Sequence, residues 1–323
     1  MDMPEDYYAQ VPFETDEVHG EDPYEKVGIS SLSSGMPISG YVDYSYEVGR
    51  KGNSSGQFGG WIQHFAVSDD GTKLYACDVW NKRIQLISLP DRKSLHSFET
   101  NIAGFNFQAR GIHILRNGDL CVNCVGYNGT SKVAIFSPEG QTISHFGPGV
   151  FGSTSAMAVD EMDRISVVDR RKMRVITCSK TGKMVDSFDP GIKDEILRIS
   201  ADSKGRLIIP DHLQNAVYVF EHNGRPSNAI KPSPGCGYDF KYPAGVACDS
   251  HDNILVADVG NHRVSQFTSE GVYRASVLTK RDNGMWRPHD VVATKSGSLL
   301  VSEVSGTYIK VFNFNSAGVR YYD

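Results

Sequence analysis

Between Pro243 and Leu278 the chain reads PAGVACDSHDNILVADVGNHRVSQFTSEGVYRASVL, in which short apolar or alternating runs are separated by turn residues. GVACD, ILVAD, RVSQF and VYRASVL have the length and β-branched content of strands, here named a to d. SHDN, VGNH and TSEG supply the Gly, Asn, Asp and Ser that tight turns need. The pattern recurs six times. The acidic or amide residue closing strand b falls at Asp78, Asn123, Asp169, Asp211, Asp258 and Glu303, with spacings of 45, 46, 42, 47 and 45 residues. A unit of this period that holds four short strands cannot bury both faces alone, so the units stack radially with strand a inside and strand d outside. The predicted fold is all-β: a six-bladed β-propeller of four-stranded antiparallel blades. The sixth unit, HDVVATKSGSLLVSEVSGTYIKVFNF, has only three strands. VDYSYEVG, residues 42–49, is the expected fourth, an N-terminal strand that joins the last blade, closes the ring and removes a sheet edge.

Charge changes the picture at the N-terminus. Residues 1–26 hold nine carboxylates against Lys26, a charge of −8, while the remaining 297 residues hold 29 acidic and 32 basic residues and are +3. The acidic stretch and the following ISSLSSGMPISG lack patterned apolar content. Residues 1–38 therefore read as a disordered linker of a longer parent chain, and 39–323 as the propeller. No apolar run approaches the roughly 18–20 residues of a membrane span, and MDMPEDYYAQ has no signal-peptide character, so the expectation is a soluble, cytoplasmic protein. Cys77, Cys121, Cys178 and Cys248 lie in apolar runs that suit reduced thiols. Cys121 and Cys124 are three apart in one strand, which points them to opposite faces and argues against a zinc pair.

The two faces of such a ring differ in chemistry. The a–b and c–d turns are Gly/Asp/Ser hairpins of mixed charge, for which tight connection is explanation enough. The b–c and d–a loops (VWNKR, GFNFQAR, CVGYNGTSK, DRRKMR, CGYDFKY, VGNHR, TKRDNGMWRPH) interleave cations with aromatics. Cations hold phosphates and flat rings stack splayed bases, so this face fits a single nucleic-acid strand. The candidate contacts are Trp80, Lys82, Arg110, Tyr127, Asn128, Arg170, Arg171, Lys172, Arg198, Tyr238, Lys241, His262, Arg281, Trp286 and Arg287. Nothing resembles a helix or ribbon that could enter a duplex groove, so duplex DNA is not an expected partner, and neither is a membrane.

Each candidate has a plainer reading beside it. Arg83, Arg174 and Arg263 recur five residues after Asp78, Asp169 and Asp258, as a structural ion pair predicts, and they are left out of the site. Arg170–Lys172 could be a solvated charge run, Tyr238 could be surface packing, and Tyr242 and Trp61 could fill the contact with a neighbouring blade.

GQFGGWIQHFAVSDDGTKLYACDVWNKRIQLI and YPAGVACDSHDNILVADVGNHRVSQF resemble NHL repeats, with the Asp-x-x-Asn-x-Arg signature intact in blades I and V and altered in the other four. The nearest group is the TRIM-NHL family. That resemblance implies a C-terminal propeller that binds single-stranded, U-rich messenger RNA and represses it, with protein co-repressors as further partners. Any ubiquitin-ligase activity would reside in segments absent here. Two other function classes compete: a protein-interaction platform on the same face, and a propeller-type metal-dependent hydrolase or lyase. For the enzyme, His113, His289 and Asp290 are the only obvious ligands, strand a is otherwise apolar or small, and no nucleophile with a partnered base stands out. No cofactor, metal or catalytic residue is expected.

Overall fold

The computed structural model describes residues 42–126, 129–193, 195–232 and 238–314. Within them lie six four-stranded antiparallel sheets. Blade V runs Pro243–Cys248, Ile254–Asp258, Arg263–Phe267 and Tyr273–Leu278. Blade III runs Thr154–Val159, Ile165–Asp169, Arg174–Cys178 and Met184–Phe188. Blade VI has Pro288–Ala293, Ser298–Glu303 and Ile309–Phe314, and its outer strand is Val42–Val48, paired antiparallel to Ile309–Phe314. The closing strand is thus the one the alternation of VDYSYEVG predicts. The linker assigned to 1–38 lies outside the described residues.

The inner strands of successive blades touch one another all the way round, including VI to I, so strand a lines the axis. Strand b is buried along its whole length in blades III, IV and V, because both of its faces pack against neighbouring blades. Strand d of blade II, Thr142–Phe146, is largely exposed. The core is accordingly divided. Six apolar clusters occupy the six blade interfaces, for example Val175, Phe188, Ile192, Ile209 and Phe220 between III and IV. Cys121 packs between II and III while Cys124 packs between I and II, on opposite faces of one strand as their offset of three requires. Close approach at the axis demands a small residue in blade V. A Cβ on Gly245 would lie 2.5 Å from the His289 carbonyl oxygen of blade VI.

Two connections depart from the sequence expectation of plain loops and of no ribbon: that from blade I to II holds a short antiparallel hairpin, Asn101–Ile102 paired with Phe105–Asn106. The connection from blade V to VI holds a single helical turn, Lys280–Asn283, where a plain loop was predicted. Thr279 caps it by accepting from the Asp282 amide at 3.0 Å, and Gly284 ends it in the left-handed conformation, φ 61°.

Candidate nucleic-acid interface

The residue that closes strand b organises the loops of this face. Its carboxylate accepts the backbone N–H of the d–a loop beside it: Gly59 at Asp78, Gly152 at Asp169, Lys241 at Asp258 and Trp286 at Glu303, all between 2.7 and 3.1 Å. In blades I and V the same carboxylate also binds the Asn and Arg of the signature. Asn81 and Arg83 donate to Asp78 at 2.8 and 3.0 Å, and Asn261 and Arg263 donate to Asp258 at the same distances. These arginines are scaffold, as their recurrence implied. Burial lifts the Asp258 carboxyl to about 6 against the lowering pull of Arg263.

Arg174 departs from that expectation. It donates to the Ser187 hydroxyl and carbonyl at 2.9 and 2.7 Å instead of reaching Asp169. Lys172 stands where the signature has Asn. Asp169 instead accepts the backbone amides of Arg171 and Lys172, and Lys172 Nζ lies 4.0 Å from its Oδ2.

Two exposed indoles stand on this face. Trp286, 44% exposed, stacks on His262 with centroids 4.4 Å apart and planes 15° from parallel, and Lys280 Nζ lies 4.3 Å from its ring centre. His262 is fixed in turn, since its Nδ1 accepts the Arg287 amide at 3.1 Å. Trp80, 48% exposed, lies flat on Gly60, where a Cβ would sit 2.1 Å from the indole nitrogen. Among the b–c and d–a loop residues Lys82, Arg171 and Lys241 are exposed, and the Lys241 stem covers Gly260. Arg281 is exposed on the short helix.

Other predicted contacts sit differently. Tyr238 packs against Phe240, Phe267 and Tyr273 and donates its hydroxyl to the Lys231 carbonyl at 2.9 Å, the surface-packing reading of that ring. Tyr242 and Trp61 pack in one cluster with Leu197, Ala244, Val259 and Val304. Arg198 is buried at the axis. Its guanidinium donates to the carbonyls of Leu197 and Gln63 and lies 3.2 Å from His289 Nδ1 and 3.6 Å from Asp290 Oδ1. Blade IV is thereby bolted to blades I and VI across the channel. Burial raises Asp290 to about 6, with Arg198 opposing, and burial lowers His64 and His289 well below the ordinary imidazole value. Tyr127 and Asn128 lie outside the described residues. Among the described residues no three His, Cys, Asp or Glu side chains converge as a metal site would require.

Arg170 bridges to Glu195 through two contacts of 2.9 Å. Lys172 donates to the Val150 carbonyl at 3.1 Å, and the Arg171 stem lies along Gly152. Two cavities open beside Arg170. One, of about 120 Å³, is the polar mouth of the axial channel, and the other, of about 270 Å³, is an apolar cleft between blades III and IV. Single-strand reasoning missed Gln63, Gln108, Glu195, Met173 and Ile192, which line them. The channel mouth gathers residues from blades I to IV, and the cleft those of blade III and its connection to IV.

The fold and these loops define a six-bladed propeller, and residues 240–267 match the NHL repeat family model. Protein brain tumor of Drosophila melanogaster is 36% identical over 85 residues, which is 25% of this chain and 8% of that protein. NHL-repeat-containing protein 4 of Mus musculus is 30% identical over 78 residues, 24% of this chain and 54% of that protein. The chain thus matches well under two thirds of either relative. Among solved structures, a Bacteroides thetaiotaomicron protein aligns with TM-score 0.64 at 16% identity, covering 84% of this chain and 75% of the other. Virginiamycin B lyase of Staphylococcus aureus, solved with quinupristin, aligns with TM-score 0.56 at 16% identity over 84% and 88%. These structures share the fold.

Proposed function

We propose that this propeller binds single-stranded RNA, without catalysis, on the face built from the b–c and d–a loops. The parent would be a cytoplasmic post-transcriptional repressor of the TRIM-NHL type. The observation that carries the reading is the exposed Trp286–His262 stack with Lys280 beside it, on the same face as Trp80, Lys82, Arg171 and Lys241. Trp80, and Trp286 once Lys280 swings from its ring to a phosphate, offer base-stacking platforms worth about 1–3 kcal/mol each, and the cations between them meet the phosphates. Arg198 and Tyr238 move from contact to support: the first bolts the ring and the second packs the loop before blade V. Arg110, Arg170, Lys172, Arg281 and Arg287 remain in the binding face.

Fluorescence polarisation with a randomised single-stranded RNA pool and a matched duplex, across a salt series, tests this. Binding is expected to favour the single strand and to weaken with salt by about 0.7 in log–log slope per neutralised phosphate. Trp286→Ala is expected to weaken it about tenfold, within the range for loss of one stacked base. Equal affinity for the duplex, or indifference to salt, would overturn the proposal. A salt-insensitive protein partner captured by this face would favour an interaction platform, for which the exposed Leu213 and Met173 in the b–c loops of blades IV and III are the supporting feature.

A further inference from the structure

The two faces of the ring carry opposite charge. The b–c and d–a connections together hold 13 Lys or Arg against five Asp or Glu, a net charge of +8, while the a–b and c–d turns hold nine against 13, a net charge of −4. An ion pair within a face adds nothing to these figures, so +8 is what remains after the connections' own carboxylates are matched. Charges on the strand ends that border the first face nearly cancel, as in the pairs Arg83–Asp78, Arg263–Asp258 and Lys310–Glu303. Lys82, Lys172, Lys241 and Lys280 are exposed on that face, and Lys180, Lys183, Lys204 and Lys295 on the other. A polyanion is drawn to the first face and kept from the second.

Residues 1–26 are a polyanion of this chain's own, with a charge of −8. Their carboxylates are interleaved with Tyr7, Tyr8, Phe13 and Tyr24, so that anions and rings mix along the chain as phosphates and bases do along a nucleic-acid strand. The closing strand sets the reach required. Val42 pairs with Phe314 at the acidic face and Val48 with Ile309 at the basic one. Between them the seven residues climb about 23 Å, at roughly 3.3 Å each. The 15 residues 27–41 span up to about 50 Å, enough to retrace that height and bring Lys26 to the rim beside exposed Arg50 and Lys51.

We propose that residues 1–26 dock on the b–c and d–a face of their own propeller, as a substitute for a nucleic-acid strand, and compete with any polyanion that binds there. The tether gives the segment an effective concentration on the order of 1 mM, so it holds the face at low salt and yields it as salt screens the attraction. The docking stands apart from the single-strand reading; only its effect on RNA rests on that reading.

Carbodiimide cross-linking of the full chain, which joins a carboxylate to a lysine amine in direct contact with it, locates the segment when the products are read by mass spectrometry. Mixing isotope-labelled with unlabelled chains separates links within one chain from links between two. Carboxylates of residues 1–26 are expected to join Lys82, Lys172, Lys241 and Lys280 in about fivefold excess over Lys180, Lys183, Lys204 and Lys295, within one chain. The excess should vanish at about 1 M salt, where screening acts within roughly 3 Å. Equal joining to the two sets overturns the proposal. Links chiefly between differently labelled chains overturn it as well and give the face to a second copy.

A combined variant, Glu5→Gln, Asp6→Asn, Glu14→Gln, Asp16→Asn and Glu17→Gln, changes no blade residue. It is expected to abolish the cross-link excess and to tighten binding of the single-stranded RNA pool about three- to tenfold at about 0.05 M salt, with no gain at about 0.5 M. Misfolding would not produce a gain. Cross-links on the basic face with no RNA binding by either chain keep the docking and sink the RNA reading. RNA binding that the variant leaves unchanged at low salt sinks the docking and keeps the RNA reading.

Discussion

Blades III and V place the same backbone in the same position and do opposite things with it. In blade V the loop after strand b is a 3-10 turn, Val259–Asn261, whose Asn and following Arg both return to Asp258. Arg263 is 9% exposed and also reaches Asp239. In blade III the Asn is replaced by Lys172 and the Arg turns away to Ser187; Asp169 accepts backbone amides with Lys172 Nζ 4.0 Å away, Arg170 pairs with Glu195, and all three cations of the loop keep exposed surface. Between the strand-closing Asp and the Arg the two loops differ at every position, VGNH against RRKM, and the loss within the signature itself is the Asn. A repeat can therefore keep its fold and release its side chains for recognition, provided that the buried carboxylate finds other donors.

The largest effect expected from this difference is on stability. Arg263→Ala leaves the fully buried Asp258 without its cation and should destabilise the protein by about 3–5 kcal/mol. Arg174→Ala removes only donors to Ser187 and should cost about 1 kcal/mol. Urea unfolding of both variants checks the ratio. The sign with pH is fixed by burial. Asp258 titrates at about 6 in the fold and near 3.8 when unfolded, so its contribution is full below the lower value and is lost as pH rises through the higher one. The loss on Arg263→Ala should therefore be greater at pH 7.5 than at pH 4.5. A loss that does not vary with pH would mean that Asp258 is protonated, or hydrated, at both.

On binding, the order of the two blades reverses. Arg171→Ala should reduce the log–log salt slope for RNA by about 0.7, one phosphate contact. Arg174→Ala should leave the slope unchanged. If Arg174→Ala moves the slope as much as Arg171→Ala, the division between scaffold and open cations in blade III fails.

How much of this was legible depended on the distance over which the information lay. The blades, the closing strand and the signature pairs of I and V follow from patterns repeated within one unit, and the sequence spells those out locally. Arg198 shows the limit. As one cation in a loop rich in cations it reads as a phosphate contact, and only the closed ring reveals that it crosses the channel to Gln63, 135 residues away. The packing of Tyr238 is hidden for the same reason, since its partners Phe267 and Tyr273 belong to the next blade. Trp286 and His262 each read from the sequence as candidate contacts, but their stacking joins the loops of two blades and is written in neither one.

The smallest effect is the sharpest test of the comparison. Lys172→Asn restores the full Asp-x-x-Asn-x-Arg signature in blade III. The new amide would sit where Asn261 sits in blade V, 2.8 Å from the strand-closing carboxylate, and removing Lys172 leaves that carboxylate open to Arg174. Added hydrogen bonds to a buried charge should raise stability by about 0.5–1.5 kcal/mol, read as a shift in the urea midpoint without a change in slope. The same change removes a cation that donates to Val150 and projects beside Arg171, so RNA binding should weaken about two- to threefold, a modest exposed-charge effect. Opposite signs for stability and binding are the signature of a turn diverted from scaffold to recognition. If Lys172→Asn lowers both, the blade III loop is a scaffold of its own kind, and its three cations need an explanation other than a ligand.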